Sequence, residues 1–437
     1  MVSERAFERS EQWRARAREV IPGGAHCHAK ADSEYPQLSP GFLVRGQGCH
    51  VWDADGNRYI EFASGNRSVS LGHAFEPVVT AVRAELEHGV NFTRPTPLEV
   101  VAAESLLELV PASDMVKFCK NGSDATSAAV RLARAATGRD LVACCQDHPF
   151  FSFEDWFITT TPMSAGIPTP VREWTLGFAY NDPRGLRQLL ADHPDQVAAV
   201  ILEPARYDEP RDGYLGEVRR ICDAQGVILI FDELITGFRW DIGGGQAAYG
   251  VPPDLSCWGK AMANGFSVSA LSGRRELMEL GAPPDGPPRV FLLSTTHGAE
   301  PHALAAAIAT MRVYREQPVI ETLDARGRRL RDGCLEVISA RGLQRHFEII
   351  GRPCCLNYVT RDATGQVSSL LRALFLQETI RRGILASSLV VNFSHAEADI
   401  DRTVEAIDGA LQVYQRALDG DPLEFLVGPP PTPIYRR

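Results

Sequence analysis

The fold can be worked out from residues Gly226–Arg239, which read GVILIFDELITGFR. The first part of this segment is a continuous apolar run of strand length, and similar runs occur upstream at LVACC (141–145) and QVAAVILEP (196–204). Continuous apolar runs are typical of strands that are buried on both faces of a sheet. A further short strand, MVKFC (115–119), precedes an amphipathic helical segment that ends at Gly138. This alternation predicts an α/β fold around a mainly parallel sheet.

Outward from that segment, the pattern divides the chain into three regions. Residues 1–70 hold an N-terminal helix, an IPGG turn and a hairpin, VWDADGNRYIEF, and residues 71–310 form a large α/β domain. Residues 311–437 mix helices with short strands such as EIIG (348–351) and LVVNFS (389–394), which predicts a small α+β domain. The glycine-rich segments at Gly46 and at Gly243–Gly245 are interpreted as turns, and the proline-rich segment 281–289 as a loop.

Composition narrows the class of protein. The chain has 437 residues, of which 44% are hydrophobic and 23% charged, as in globular proteins. Its net charge of −10 argues against a nucleic-acid or membrane partner, and its charged N-terminus argues against a secretory signal. We therefore expect a cytoplasmic protein. The ten cysteines include two adjacent pairs and no CxxC spacing, so neither a disulfide framework nor a metal site is expected.

The segment KNGSDAT (120–126) joins a predicted strand to a predicted helix. Gly122 and Ser123 at a helix start would leave backbone N–H groups and a hydroxyl free to bind a phosphate. The alternative is an ordinary helix N-cap.

Asp232 is predicted at the C-terminal end of a buried strand, where α/β sheets bind ligands. A buried carboxylate needs a cation, and either a protonated pyridine nitrogen or a structural arginine would serve. Strand periodicity places Leu234 on the same side as Asp232, where it could pack on a ring.

Lys260 is one of only four lysines in a chain rich in arginine, the others being Lys30, Lys117 and Lys120. It lies in a segment of apolar and small residues, PDLSCWGKAMANG, which favours a neutral, nucleophilic amine. The alternative for any single lysine is a solvated surface residue.

The order of phosphate loop, strand-end aspartate and GK lysine resembles the class III aminotransferases of fold type I, specifically the branch of glutamate-1-semialdehyde aminomutase. The resemblance covers nearly the whole chain. It includes IPGGAH, VWDADGNRYIEF, NFTRPTPLEV, KNGSDATSAAVRLARAATGRD, FDELITGFR and RRGILASSLVVNFSH.

The resemblance implies pyridoxal 5′-phosphate (PLP) as cofactor and a role for each matching residue. Lys260 would form the Schiff base, Asp232 would pair with the pyridine nitrogen, and Leu234 would pack on the ring. Gly122 and Ser123 would bind the phosphate, completed by Thr296 from a second subunit, which implies a homodimer. Glu203 would lie near the cofactor, with helix capping or packing as its alternative role.

Two segments depart from the family pattern. A tyrosine that stacks on the cofactor is replaced by Phe150, with Phe151 and His148 as alternatives because the alignment needs a small insertion. Where the aminomutase has a serine and an arginine for a substrate carboxylate, this chain has Cys27 and Lys30. Lysine cannot bind a carboxylate in a two-pronged manner, so we expect Lys30 to contact a different substrate.

The predicted function is transamination from an amino-acid donor to a carbonyl acceptor, which the resemblance suggests is sugar-derived or a secondary-metabolite intermediate. One alternative is an aminomutase, which moves the amino group within one substrate. Another is a catalytically inactive relative acting as a binding or regulatory subunit, against which the intact Lys260 and Asp232 argue.

Overall fold

The computed structural model describes residues 6–282 and 290–432. Most of the predicted proline-rich loop, residues 283–289, lies outside this part of the chain, as do residues 433–437. The strands are β1 (Leu43–Gln47), β2 (His50–Asp53), β3 (Arg58–Glu61), β4 (Met115–Cys119), β5 (Leu141–Cys145), β6 (Thr175–Phe178), β7 (Val197–Leu202), β8 (Ile228–Asp232), β9 (Leu255–Trp258), β10 (Ser269–Gly273), β11 (Phe347–Ile350), β12 (Asn357–Thr360) and β13 (Ile384–Leu385).

The helices are α1 (Glu8–Val20), α2 (Ser64–Arg67), α3 (Glu76–Leu86), α4 (Pro97–Leu107), α5 (Gly122–Thr137), α6 (Asp155–Ile158), α7 (Thr169–Arg172), α8 (Pro183–Asp192), α9 (Tyr214–Gln225), α10 (Gly244–Tyr249), α11 (Arg275–Met278), α12 (Pro301–Glu316), α13 (Val319–Ala340), α14 (Ser369–Arg381) and α15 (Glu397–Leu418). Within the described ranges, no helix has both the length and the apolar character that crossing a membrane requires.

The chain divides into two compact units. One comprises Glu76–Ile320, and the other combines Met1–Phe75 with Glu321–Arg437. The predicted domains were consecutive segments with boundaries at residues 70 and 310. They remain a prediction, because a compact unit is not necessarily a domain that folds alone.

The unit Glu76–Ile320 is built on a seven-stranded sheet with the order β4-β10-β9-β8-β7-β5-β6. All neighbouring strands pair in parallel except β10, which is antiparallel to both β4 and β9. Every residue of β7 and β8 is buried, as expected for strands covered on both faces. The predicted strands at MVKFC, LVACC, QVAAVILEP and GVILIFDE are confirmed, and so is the mainly parallel α/β fold.

Helix α5 has clear signals at both ends. The Asn121 side chain accepts a hydrogen bond from the N–H of Asp124, which in turn accepts from the Asn121 N–H and so forms a capping box. Gly138 ends the helix in the left-handed conformation (φ 67°), where a residue without a side chain is favoured. Alanines and leucine line its buried face. The sequence predicted both its course and its end.

The second unit contains a four-stranded sheet of order β1-β2-β3-β13 and the two-stranded pair β11–β12. The hairpin β2–β3 is confirmed: its turn is held by the Asp53 carboxylate, which accepts from the N–H groups of Asp55 and Asn57. Helices α13 and α15 confirm that the C-terminal third contains helices, and β11 confirms the predicted strand at EIIG.

Three local predictions were wrong, two of them only in part. The segment LVVNFS is not a strand: Val390 and Phe393 donate to Phe62 and Ser70, which lie in a loop, and only Leu389 makes an isolated bridge. Gly46 lies in β1 rather than in a turn, but the turn between β1 and β2 follows at Gly48 and Cys49. A Cβ atom on Gly46 would collide with His73. Gly243 lies in a turn as predicted, whereas Gly244 and Gly245 begin α10, where the N–H groups of Gly245 and Gln246 donate to the Glu233 carboxylate.

Candidate active site

Most of the predicted site residues follow strands of the seven-stranded sheet at one edge. Asp232 ends β8, Glu203 directly follows β7, His148 follows β5 and Lys260 follows β9 by two residues. Helix α5 begins after β4, which runs in the same direction as β9 because β10 is antiparallel to both. The carboxyl ends of parallel strands meet at one edge of a sheet, the usual position of a ligand site.

Asp232 is almost fully buried, with 2% of its surface exposed. Its Oδ1 accepts a hydrogen bond of 2.9 Å from the N–H of Leu234. Burial and, to a lesser extent, the nearby Glu203 charge raise the pKa of Asp232. Lys260 and the Leu234 N–H act in the opposite direction, and the resulting pKa is about 7. A cation beside this carboxylate would therefore stabilise its charged form strongly.

Leu234 lies between two glycines of the site. A Cβ atom on Gly122 would be 2.9 Å from Leu234 Cδ2 and closer still to Cδ1, and one on Gly259 would be 2.6 Å from Cδ2. The sequence argument for Leu234 was wrong in one respect, because β8 ends at Asp232 and Leu234 lies in the following turn. The turn nevertheless brings the leucine against both the start of α5 and the residue before Lys260.

The start of α5 has the features of an anion site. By helix geometry, the N–H groups of Gly122 and Ser123 have no carbonyl partner inside the helix. Ser123 Oγ accepts a 3.1 Å hydrogen bond from the N–H of Phe153, which leaves the hydroxyl hydrogen to donate to another group. The absent side chain at Gly122 is required by contact with Leu234. The capping role considered as the alternative belongs instead to Asn121.

Lys260 begins a short 3₁₀ helix and has a backbone φ of +46°, in the left-handed region. Residues with a side chain rarely adopt this conformation, and where they do the surrounding structure holds them there, often at active sites. Gly259 before it cannot carry a side chain without meeting Ser269 Oγ and Leu234. Lys260 lies close enough to Asp232 and Glu203 for its charge to act on both carboxyls.

Glu203 is buried and belongs to a charged network. Its Oε1 accepts a 2.7 Å bond from Arg206 Nη1, and its N–H donates to His148 Nδ1 at 3.0 Å. Burial raises the pKa of Glu203, but Arg206, His148 and Lys260 together outweigh burial and leave the pKa lowered. Its Oε2 has no hydrogen-bond partner among the described residues. A packing role alone therefore does not explain why this buried side chain is charged and has one oxygen without a partner among the described residues.

The three candidates for a stacking ring differ in exposure. Phe150 is 47% exposed, whereas Phe151 is 1% and His148 4% exposed. The rings of Phe150 and Phe151 both pack edge-on against Phe157. Burial lowers the pKa of His148 to about 4, so the imidazole is neutral at pH 7. Phe150 is therefore the one of these three candidates whose ring is substantially exposed.

Two predicted residues are not brought to this sheet edge by contacts within the unit Glu76–Ile320. Thr296 is exposed in the single chain, and its carbonyl accepts from Asn91 Nδ2 at 3.1 Å. Lys30 belongs to the other unit, where it is exposed at the end of the 3₁₀ helix His28–Lys30. Cys27, just before that helix, is exposed as well.

Sequence reasoning missed Arg206 and Glu233. Arg206 ion-pairs with Glu203, and its only sequence signal is an arginine three residues after a strand-end glutamate. Glu233 is buried beside Asp232, and its carboxylate is held by the N–H groups of Gly245 and Gln246 and by the Thr236 hydroxyl. Gly245 was visible in the sequence as part of a glycine-rich segment, but nothing there indicated that its N–H binds Glu233.

Comparison with known proteins gives a family. The Aminotransferase class-III profile matches residues 31–344. The glutamate-1-semialdehyde 2,1-aminomutase of Syntrophobacter fumaroxidans is 34% identical over 417 residues, covering 89% of this chain and 94% of that protein. The enzyme of the same name from Desulforudis audaxviator is 35% identical, covering 92% of this chain and 98% of that protein.

Solved structures of related proteins also resemble this chain. The FumI protein of Sphingopyxis sp. MTA144, solved with PLP, superposes with a TM-score of 0.87 at 30% identity, covering 98% of this chain and all of that chain (100%). An omega-transaminase from Sphaerobacter thermophilus has a TM-score of 0.84 at 28% identity, covering 93% of this chain and 98% of that chain.

The residues at the sheet edge fit the cofactor of this family. The phosphate would meet the open N-terminus of α5, the ring would meet Leu234, and the protonated pyridine nitrogen would place a cation beside buried Asp232. The profile match and the full-length relatives together show that the chain belongs to the class III aminotransferase family, and its cofactor is pyridoxal 5′-phosphate.

Proposed function

We propose that this protein is an aminotransferase that moves an amino group from an amino-acid donor to a separate carbonyl acceptor. The observation that carries the proposal is the convergence of three features at the carboxyl edge of the sheet. These are the buried Asp232, the contact of Leu234 with Gly122 and Gly259, and Lys260 in its constrained backbone position.

Each residue has a distinct task in this proposal. PLP, when bound, supplies an aldehyde that takes up the amino group and a ring that withdraws electrons. Lys260 Nζ would hold the cofactor covalently and would move the proton at the donor's α-carbon. Asp232 would keep the pyridine nitrogen protonated, Gly122 and Ser123 would bind the phosphate, and Phe150 would pack on the ring. Glu203 lines the same site.

The aminomutase is the second candidate, because full-length relatives at 34–35% identity carry that name. The replacement of its serine and arginine by Cys27 and Lys30 favours a different substrate. We therefore propose an acceptor with hydroxyl groups, such as a sugar-derived or secondary-metabolite carbonyl compound. The contribution of Lys30, a cytoplasmic location and a homodimer completed by Thr296 remain predictions.

The assignment of Lys260 can be tested by chemical labelling. PLP-loaded protein is reduced with borohydride, digested and mapped by mass spectrometry. The label is expected on the peptide containing Lys260, and Lys260→Ala should lose it while keeping its fold. Lys120→Ala is a matched control, since Lys120 also lies near the start of α5 but pairs with Glu300. A labelled peptide that contains any other lysine would contradict the assignment, and a protein that takes up no PLP would favour the inactive alternative.

A further inference from the structure

Arg206 is a largely buried cation that the proposed chemistry does not use. Its side chain is 16% exposed, follows β7 in a loop and donates from Nη1 to Glu203 Oε1 at 2.7 Å. Its Nε has no hydrogen-bond partner among the described residues. Burial alone would lower the pKa of Arg206, but the Glu203 charge outweighs it and the pKa is raised. Removing one partner of such a buried pair would leave an uncompensated charge on the other.

The charged groups around Glu203 explain why Arg206 matters there. His148 cannot neutralise the carboxylate at pH 7, because its pKa is lowered to about 4 and its Nδ1 accepts the Glu203 N–H. Lys260 also acts on Glu203, but it commits its nitrogen to the cofactor. Cys145 also faces Glu203, but it is held as a neutral thiol because burial raises its pKa to about 12. Arg206 is thus the permanent cation of this cluster.

Glu203 lies beside Asp232, because the residues that precede them, Leu202 and Phe231, pair across the parallel strands β7 and β8. After burial, the charge of Glu203 is the strongest influence that opposes ionisation of Asp232. The neighbouring Glu233 acts less, and its carboxylate is held by Gly245, Gln246 and Thr236. A carboxylate paired with arginine repels a second carboxylate less than an unpaired one does.

We infer that Arg206 is a positioning residue: its guanidinium neutralises Glu203, so that Asp232 rather than Glu203 supplies the negative charge for the cofactor's ring nitrogen. The inference rests on the proposed function for the role of Asp232. The ion pair itself is present without the cofactor and can be tested separately.

Three variants distinguish the effect of the Arg206 charge from the effect of Arg206 packing. Arg206→Gln removes the charge, Arg206→Lys keeps it, and Arg211→Gln removes an arginine of the same loop whose side chain is 71% exposed. With PLP bound, the absorption of the cofactor is followed from about pH 5 to about pH 9, a range in which its protonation changes. Loss of a buried cation favours the protonated form of the bound cofactor. The pH midpoint of the absorption change in Arg206→Gln should therefore rise by about one pH unit. It should stay near the wild-type value in Arg206→Lys and Arg211→Gln.

Thermal denaturation of the cofactor-free proteins gives an independent readout. In Arg206→Gln, burial of Glu203 is no longer offset, so its folded-state pKa should rise above the unfolded value. Stability is then lost as pH rises, and the deficit relative to wild type should be larger at about pH 8 than at about pH 5. The double variant Glu203→Gln with Arg206→Gln should abolish this pH dependence.

An unchanged absorption midpoint in folded Arg206→Gln, or an equal shift in Arg206→Lys, would overturn the inference. So would a melting deficit that does not depend on pH. A chain that takes up PLP but transfers no amino group would instead overturn the proposed function while leaving both pH measurements valid.

Discussion

Asp232 has almost no contact with solvent, so its charge is stable only when a cation lies beside it. In the cofactor-free chain, burial and Glu203 both oppose ionisation of this carboxyl. The residue is therefore poorly suited to a purely structural ion pair and well suited to a ligand that brings its own positive charge.

Replacing Asp232 by asparagine should leave PLP covalently attached but slow the donor half-reaction. A neutral amide cannot hold the ring nitrogen protonated, and loss of a charge directed at the reacting group typically costs about two orders of magnitude or more. Stopped-flow absorption after mixing with an amino donor alone measures this step. A near-normal rate would mean that Asp232 has only a structural part.

The same residue predicts a pH dependence in the absence of cofactor. The folded-state pKa of about 7 exceeds the ordinary aspartate pKa of 3.8, so the folded chain holds this proton more tightly than the unfolded chain does. The stability contributed by Asp232 is complete below about pH 4 and is lost as pH rises through about 7. Melting temperatures of wild type and Asp232→Asn should therefore move apart, in favour of the variant, between about pH 5 and about pH 8. Parallel curves would contradict the raised pKa.

At the scale of secondary structure, the start of α5 combines a helix N-terminus with a tight contact to the turn after β8. Gly122 is required there because any side chain would collide with Leu234. Gly216, near the start of α9, offers a matched comparison, since a Cβ atom at that position would meet nothing within 4 Å.

Gly122→Ala is expected to destabilise the protein by about 1–3 kcal/mol, as overpacking does, and to weaken PLP binding. Gly216→Ala should be neutral or stabilise by about 1 kcal/mol, because alanine is the better helix former. Chemical denaturation measures both. Adding Leu234→Ala to Gly122→Ala should recover part of the lost stability. Equal effects of the two alanines would show that the contact with Leu234 is unimportant.

The sequence predicted elements well where the pattern is local. Strands β5, β7 and β8 follow from apolar runs, and the end of α5 follows from Gly138. Prediction from the sequence failed where contacts between distant parts of the chain determine the structure. LVVNFS has the composition of a strand, but its backbone groups bond to a loop, and Leu234 reaches the site through a turn rather than along a strand. Strand order and the ion pair of Arg206 with Glu203 likewise depend on pairings that no local pattern records.

At the scale of the whole molecule, the key prediction is a contact between Thr296 and the cofactor phosphate of a second subunit. Thr296 is exposed in the single chain. If it completes the phosphate site of a second subunit, mixed dimers of Thr296→Ala and Lys260→Ala chains should bind PLP well at the surviving Lys260 site. That site would receive its threonine from the Lys260→Ala partner. Fluorescence titration with PLP measures the affinity. Binding as weak as in a Thr296→Ala homodimer would place the contact within one chain.

Family membership accounts for the fold and the cofactor, but it leaves two ways of moving an amino group. A transaminase takes nitrogen from a separate donor, whereas an aminomutase returns it to the same substrate. The relatives named as aminomutases and the solved transaminases both resemble this chain over most of its length.

The most direct test follows the nitrogen itself. PLP-loaded protein is incubated with ¹⁵N-labelled L-amino acids, glutamate and alanine among them, and the cofactor is then released and weighed by mass spectrometry. The account predicts an aminated cofactor that carries ¹⁵N, together with the keto product of the donor. An unlabelled cofactor with every donor, combined with conversion of glutamate-1-semialdehyde to 5-aminolevulinate in the absence of any donor, would contradict it.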